Sequence, residues 1–418
     1  MAMRAKFLPF LLLTAVVVFT SCAGYHRHMA DQAYDLMQYE KARIHYDHLL
    51  KHNTDRAALI RCADACRRQN DMNAAVLRYH LADSIAALTG EDAFRYGQAL
   101  MSTGQKDKAE TCFYNVLQER PEDAPSMDLY ASCKAYKSFL QDSDAFVVNR
   151  LNLQGFKSVF SAAPLDKGLV VTGEPAEREG RANPWNGQSY LDLFYAEKKT
   201  MVTWLAPVRV PGEVNGPYHE GTAVFSSDGN TMYFTRSDYY QHRLNKDERN
   251  TSHLKLFRAT RDSITHAWKD IRAFMYNGDR FSCGHPALSS DGNTLYFVSD
   301  RPGGMGGSDI WRCRLEGGVW SAPENLGATV NTAGNEAFPV VNGDALYFSS
   351  DAHENLGGLD IFETHLTNGH WSDPRNMNYP VNTEHDDFAL VIDKRAGLSA
   401  DAEMSGYLSS DREGTDQI

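Results

Sequence analysis

The sequence predicts an α + β multidomain protein, with an N-terminal α-helical solenoid followed by an all-β, five-bladed β-propeller. Two internal repeats carry this prediction. A helical pattern recurs every 33 or 34 residues in the first third of the chain, and a strand-turn-strand pattern recurs every 51 to 63 residues in the rest. We therefore expect a signal peptide over residues 1–21, helical repeats with a capping helix over 22–141, and the propeller over 142–418.

The N-terminus has the features of an export signal. Arg4 and Lys6 precede an apolar run over residues 7–19, which is too short to span a membrane. The run ends in Phe-Thr-Ser-Cys, which resembles the lipobox of bacterial lipoproteins, and an ordinary cleavage site is the alternative. The resemblance implies lipidation of Cys22. With Ala23 next, it also implies an outer-membrane anchor that faces the periplasm.

Composition limits the partners and the redox chemistry. The formal net charge of -12 argues against binding to nucleic acid, because nucleic-acid-binding proteins usually present a basic face. Six cysteines follow Cys22, and export would allow them to form disulfides, so their oxidation state stays open.

The helical repeat is visible in three aligned segments. Ala42, Ala75 and Ala109 are each followed four residues later by an aromatic residue, and Pro121 closes the third unit. The pattern resembles the tetratricopeptide (TPR) repeat and implies stacked helix pairs. In that register Cys62 and Cys66 lie on the buried face of a helix, which favours core positions over a metal or redox pair.

The first repeat also contains three histidines that could bind a metal ion. His45, His48 and His52 share one helix face, but no acidic or cysteine partner completes a metal site in the sequence. We therefore expect a solvated face, no metal site and no cofactor.

The second repeat explains the glycine-rich stretch "SDRPGGMGGSDIW". It aligns with "SDAHENLGGLDIF" at a constant offset of 51 residues, and strand-like segments flank both copies. A phosphate-binding loop should open a helix, whereas these glycines lead into a strand, which predicts a hairpin loop. Looser copies give five in all, centred on Asp192, Lys255, Asp309, Asp360 and Asp416.

This second repeat resembles the PD40 family of WD40-like propellers, which also occur in TolB-type periplasmic proteins. The fifth copy stops at its third strand, so we expect "AFVVNRLNL", just before the first copy, to supply the outer strand and to close the ring. The order of a lipobox, TPR repeats and PD40 repeats along the chain resembles that of outer-membrane lipoproteins linked to type IX secretion and gliding. Members often carry an OmpA-like domain, and because this chain stops before one, peptidoglycan binding is not supported.

The sequence contains no recognisable catalytic constellation. Neither G-x-S-x-G nor H-E-x-x-H occurs. The aspartates that recur in four copies are better explained as acceptors that tie a hairpin loop than as catalytic or calcium-binding carboxylates: Asp192, Asp309, Asp360 and Asp416. We therefore expect no enzyme, but a lipid-anchored periplasmic scaffold that binds outer-membrane or periplasmic proteins. The alternative is a periplasmic receptor that captures a small molecule, sugar or peptide in the propeller channel.

The candidate binding residues lie on one face of the predicted propeller. The loops between the second and third strands, called b–c loops here, are long in the first two copies and carry side chains common at binding hot spots. Alignment places three polar residues at the starts of the innermost strands, around the channel mouth. The predicted partner-binding residues are Trp185, Tyr239, Tyr240 and Arg243 of the loops, and His285, Glu336 and Asp387 of the channel mouth.

Overall fold

The computed structural model describes residues 23–51, 54–141, 143–177, 180–200, 202–393, 395 and 404–418. The predicted signal peptide and Cys22 lie outside the described residues. The chain divides into two compact units. The helical unit contains the described residues up to 100 together with 182–188, and the propeller unit contains residues 101–181 and 189–418.

Seven α-helices occupy the N-terminal part of the described chain. The first, α1, covers residues 23–35. The others are α2 (Tyr39–Leu50), α3 (Arg56–Arg68), α4 (Met72–Ile85), α5 (Gly90–Met101), α6 (Lys106–Glu119) and α7 (Ala124–Ala135). A short 3-10 helix follows at Ser138–Leu140. Asp55, Asp71 and Asp123 cap α3, α4 and α7, because each carboxylate accepts a hydrogen bond from a first-turn amide.

The positions that define the helical repeat are core positions. Ala42, Ala75 and Ala109 have no exposed surface, and neither do the aromatic residues four positions later, Tyr46, Tyr79 and Phe113. The small side chains allow close packing of neighbouring helices, and the rings fill the space one turn further on. Cys62 and Cys66 are also fully buried on α3 as free thiols, which confirms their predicted place in the core.

The described strands form five antiparallel sheets and one short hairpin. Sheet one contains β1 (Phe156–Leu165), β2 (Gly168–Pro175), β3 (Asp192–Glu197) and β4 (Val208–Arg209). Sheet two contains β5 (Glu220–Phe225), β6 (Thr231–Ser237), β9 (Leu254–Arg261) and β10 (Trp268–Ala273). The hairpin pairs β7 (Tyr239–Tyr240) with β8 (Arg243–Leu244).

The remaining sheets repeat the same strand order. Sheet three contains β11 (Cys283–Leu288), β12 (Thr294–Ser299), β13 (Asp309–Glu316), β14 (Val319–Trp320) and β15 (Glu324–Asn325). Sheet four contains β16 (Glu336–Asn342), β17 (Ala345–Ser350), β18 (Asp360–Thr367), β19 (His370–Trp371) and β20 (Arg375–Asn376). Sheet five pairs β21 (Asp387–Ile392) with β22 (Gly406–Ser410).

The first strands of the five sheets form a closed ring. β5 lies between β1 and β11, β16 lies between β11 and β21, and β21 returns to β1. This arrangement confirms the predicted fold class, a helical region followed by an all-β propeller. The glycine-rich stretch is the loop between β12 and β13, as predicted, and Gly303 adopts a positive φ of 91° there.

Every first strand contains a β-bulge with a residue of positive φ at the same position. The residues are Ser161, Thr222, His285, Phe338 and Ala389. Four of their amides donate a hydrogen bond to the preceding sheet, over distances of 2.9 to 3.3 Å. The bulge therefore turns a backbone donor away from its own ladder and links neighbouring sheets around the ring.

The two ends of the propeller unit meet, although not as the regular strand pair that was expected. Residues 145–153 form no strand, but the Leu151 amide donates to the Ile418 carbonyl at 2.7 Å. The Val159 amide of β1 donates to the Asp416 carbonyl at 3.0 Å. Leu151 and Leu153 pack with Ile418 in one apolar cluster, so both chain segments contribute to closure.

Candidate functional site

The β7–β8 hairpin brings three of the predicted binding residues together on the b–c face of sheet two. Tyr239 pairs with Leu244, and Tyr240 pairs with Arg243. Tyr240 and Arg243 are exposed, and Tyr239 is partly buried. The hairpin is an insertion between β6 and β9, which pair directly with each other, so the sheet does not depend on it.

Tyr239 belongs to a longer row of aromatic rings, which we call the tyrosine strip: Tyr190, Tyr218, Tyr239 and Tyr240. The Tyr190 and Tyr218 ring centroids are 5.4 Å apart in a T-shaped pair, and Tyr218 is 5.4 Å from Tyr239. Tyr240 follows Tyr239 in β7, and its ring lies 5.8 Å from the buried Phe257 ring. The strip therefore crosses from sheet one to sheet two as a half-exposed aromatic surface with a firmly packed base.

Charged groups fix the base of the strip from below. The Arg236 guanidinium lies 5.5 Å from the Tyr239 ring centroid and donates to the Glu220 carboxylate at 2.9 Å. Burial raises the pKa of Glu220 to about 8, against the opposing effects of the Gly216 amide and Arg236. His219 packs against Tyr190, and burial lowers its pKa to about 4, so the imidazole is neutral at pH 7.

Two members of the strip, Tyr190 and Tyr218, were not predicted from the sequence. Tyr190 lies two residues before Asp192 at the start of β3, and Tyr218 lies two residues before Glu220 at the start of β5. A tyrosine directly ahead of an acidic strand start, present twice, was the available signal. This signal can be interpreted only in the structure, where the ring of sheets places the two loops side by side.

Aromatic rings occupy the position that the sequence assigned to the channel mouth. His285 stacks on Phe338 with centroids 3.9 Å apart, and Phe388 lies 4.7 Å from Phe338. Phe160 completes the group at 5.7 Å from Phe388. His285 is the third residue of β11, which starts at Cys283, and Phe338 is the third residue of β16, which starts at Glu336. His285 therefore aligns with Phe338 and not with Glu336.

His285 also has a defined hydrogen-bonding role. Its Nδ1 accepts from the Phe338 amide at 3.3 Å. In the other three links between sheets the acceptor is a Ser or Thr hydroxyl, whereas the corresponding residue of sheet three is Val298, which has no hydroxyl. Burial lowers the pKa of His285 to about 4, which keeps this nitrogen free to accept. The side chain thus replaces a missing Ser or Thr in the links between sheets.

Glu336 and Asp387 begin their strands as predicted, and both side chains are fully buried. Glu336 accepts from the Thr332 amide at 2.9 Å, the Thr332 hydroxyl at 2.6 Å and the Ser350 hydroxyl at 2.9 Å. Asp387 accepts from Thr383 and Arg412 in the same manner. Burial raises the pKa of Glu336 to about 7 and also raises that of Asp387. Each carboxylate thus holds the loop that enters its sheet.

An asparagine clamp recurs in the same entry loops and was missed in the sequence. The side chain of Asn331 accepts from the Ile310 amide at 2.8 Å and donates to the Ile310 carbonyl at 3.0 Å. Asn215, Asn277 and Asn382 make the same pair of bonds to the third strand of the preceding sheet. The signal was present as "VNG", "YNG", "VNT" and "VNT", five or six residues ahead of each first strand.

Trp185 is the predicted binding residue that belongs to the helical unit. Its indole Nε1 donates to the Arg68 carbonyl at 2.8 Å, and its ring meets Tyr39 edge-on at 4.7 Å. The Glu40 amide donates to the Trp185 carbonyl at 3.2 Å. This side chain therefore fastens residues 182–188 to α2 and α3.

Comparisons with known proteins show resemblance at the level of fold. No protein-family model matches the chain, and no curated protein matches it. An α-L-arabinofuranosidase from Lactobacillus brevis is similar at 11% identity and a TM-score of 0.37, over 60% of this chain and 82% of that one. The soluble aldose sugar dehydrogenase of Escherichia coli is similar at 8% identity and a TM-score of 0.33, over 64% and 97%. A prolyl endopeptidase structure is similar at 13% identity and a TM-score of 0.30, over 69% and 45%.

The expectation that the chain is no enzyme is wrong as an inference from its architecture, because these similar structures are enzymes. That expectation relied on short sequence motifs. A propeller can assemble polar groups from strands that are some fifty residues apart, which motifs do not detect. The likeness is remote and assigns no reaction to this chain.

In the part of the chain that the structure describes, no helix is long and apolar enough to cross a membrane.

Proposed function

We propose that the protein is a lipid-anchored periplasmic scaffold that binds other outer-membrane or periplasmic proteins on the tyrosine strip. The observation that carries this proposal is the strip itself: the rings of Tyr190, Tyr218 and Tyr239 contact one another in a row. The exposed Tyr240 and Arg243 pair with each other on the same hairpin as Tyr239. Tyrosine and arginine are enriched among the residues that contribute most to protein–protein affinity.

The construction of the strip supports binding more than internal packing. Tyr240 is 36% exposed, and it lies on a hairpin that the strand pairing of sheet two does not require. Tyr218 and Tyr239 are held by neighbouring rings and by Arg236, so little side-chain freedom is lost when a partner covers them. A partially pre-ordered aromatic surface binds with a smaller entropy cost than a mobile one.

The receptor alternative has less support. It places a small molecule in the channel at the starts of the first strands, where His285, Phe338, Phe388 and Phe160 pack against one another. A ligand there would have to displace rings that already contact each other. The proposed partners are therefore proteins on the face, and the resemblance in domain order makes assemblies for type IX secretion or gliding the first class to examine.

Crosslinking in intact cells, followed by affinity purification, tests the proposal. Replacing Tyr239 and Tyr240 together by Ala should reduce the recovery of the major crosslinked envelope protein at least tenfold. The control is Tyr114→Ala on α6, which removes an exposed tyrosine outside the strip (48% exposed, against 36% for Tyr240). Undiminished recovery with the double variant, or equal loss with the control, would reject the strip as the binding surface.

The anchor is tested separately by fractionation. Cys22→Ala should move the protein from the membrane pellet to the soluble periplasmic fraction, because the acyl chains attached to Cys22 would supply the membrane affinity. If the variant stays in the pellet after a high-salt wash, lipid on Cys22 is not the anchor.

A further inference from the structure

Three histidine rings from two neighbouring helices meet on the helical unit. His26 comes from α1, and His45 and His48 come from α2. The Nδ1 atoms of His26 and His45 are 3.0 Å apart. The His48 ring stacks on His26 with centroids 4.9 Å apart, and the His26 and His45 centroids are 5.2 Å apart. We call these three side chains the histidine cluster.

We propose that the histidine cluster binds a divalent transition-metal ion of the class that prefers imidazole ligands, with Zn²⁺ as the reference ion. His26 and His45 would each supply Nδ1. An ion at about 2.0–2.1 Å from both nitrogens, given their separation of 3.0 Å, would subtend an N–metal–N angle of about 95°. This angle lies between the square-planar and tetrahedral values that such ions adopt.

The third ligand requires one side-chain movement. No group of three His, Cys, Asp or Glu side chains among the described residues is already arranged around an ion. His48 is exposed and stacked against His26, so rotation about its side-chain bonds can turn a ring nitrogen toward the His26–His45 pair. Exposed side chains change rotamer within nanoseconds, so this step does not limit binding. A bound water can fill the remaining position.

The electrostatics of the cluster favour the neutral, metal-binding form of His45. Burial, together with His26, Lys41 and His48, lowers the pKa of His45. Protonation of both partners would place two cations 3.0 Å apart, whereas one Nδ1–H and one lone pair form a hydrogen bond. A metal ion replaces that shared proton and uses both lone pairs.

The sequence pattern alone pointed to a different set. His45, His48 and His52 share a helix face, and His52 lies outside the described residues. His26 is 19 residues before His45 and reaches it only because α1 and α2 pack as a hairpin around Ala30, Ala42 and Tyr46. Packing therefore supplies the partner that the helix face lacked.

Calorimetric titration of the purified, untagged protein with Zn²⁺ tests the proposal. We expect one ion per chain with micromolar affinity. His26→Gln and His45→Gln should each weaken binding at least tenfold, because each removes one Nδ1 ligand. His80→Gln is the matched control, since His80 is an exposed histidine of α4 in the same unit, and it should bind as the parent does.

A second readout separates loss of ligands from loss of fold. The apo forms of all variants should melt at the parental temperature, and Zn²⁺ should raise the melting temperature only where both His26 and His45 are present. Cu²⁺ bound to the parent should show nitrogen hyperfine splitting in its electron paramagnetic resonance spectrum, and the His26→Gln/His45→Gln double variant should not. Absence of binding to the parent, or unchanged binding to the double variant, would overturn the proposal.

Discussion

At the residue scale, buried polar side chains hold this propeller together, and the Asn331 clamp is a representative example. Asn331 is 1% exposed and pairs with both backbone groups of Ile310. Replacement by Ala would leave that amide and carbonyl buried without partners, at about 1–3 kcal/mol for each group. We expect Asn331→Ala to lower the free energy of unfolding by about 2–4 kcal/mol, measured by urea denaturation.

The control for this prediction is an asparagine outside the clamp. Asn293 lies in the exposed turn between β11 and β12, where its side chain bonds only to Asp291. Asn293→Ala should change the free energy of unfolding by less than about 0.5 kcal/mol. Similar losses in the two variants would mean that the clamp adds nothing beyond an ordinary turn.

Glu336 makes the stability of the propeller depend on pH. Burial raises its pKa from 4.5 to about 7 in the folded chain, so the folded state binds this proton more tightly than the unfolded state does. The resulting stabilisation is fully present below pH 4.5 and is lost as the pH rises through 7. In Glu336→Gln this dependence disappears, so the variant should gain stability relative to the parent between pH 5 and pH 8. Thermal melts across that range measure the difference, and a difference that stays constant with pH would contradict the assignment.

At the element scale, residues 182–188 of the long loop between β2 and β3 pack on α2 and α3 of the helical unit. Trp185 is bonded to the Arg68 carbonyl and packed against Tyr39. In Trp185→Ala, we expect residues 182–188 to detach from α2 and α3, which should accelerate tryptic cleavage after the exposed Arg181 severalfold. Tyr240→Ala, on the other long loop, should leave that cleavage rate unchanged. An unaltered rate in Trp185→Ala would show that other contacts hold the segment.

The same element shows how far sequence patterns reach. Loop length and composition placed Trp185, Tyr239 and Tyr240 in one class. Nothing in the sequence shows that the Trp185 indole is bonded to α3, whereas Tyr240 lies on a separate hairpin. The two side chains are similarly exposed, at 37% and 36%. Helices and strands were predictable because their periodicities are local, as with the buried Ala42, Ala75 and Ala109. The tyrosine strip was only half predictable, because Tyr190 and Tyr239 become neighbours of Tyr218 only through the closed ring.

At the scale of the whole molecule, the propeller depends on contacts between residues at opposite ends of its unit. The Val159 amide, at the beginning of the first sheet, donates to the Asp416 carbonyl, and the Ser158 hydroxyl donates to the Asp416 carboxylate at 2.8 Å. Arg150 forms an ion pair with Glu413 at 2.6 Å on the surface. An exposed pair of this kind adds little, so the buried apolar contacts beneath it should carry the closure.

Those apolar contacts can be measured as a coupling between Leu153 and Ile418, which are 7% and 8% exposed and pack in one cluster. Leu153→Ala and Ile418→Ala should each cost about 2–4 kcal/mol. Because both side chains line the same cluster, the loss of stability in the double variant should be smaller than the sum of the two single losses by at least about 0.5 kcal/mol. Leu346 packs in a different cluster, so Leu153→Ala with Leu346→Ala should be additive within about 0.5 kcal/mol. Urea unfolding followed by near-ultraviolet circular dichroism gives all the values, and additivity of the Leu153–Ile418 pair would show that the ring closes without this contact.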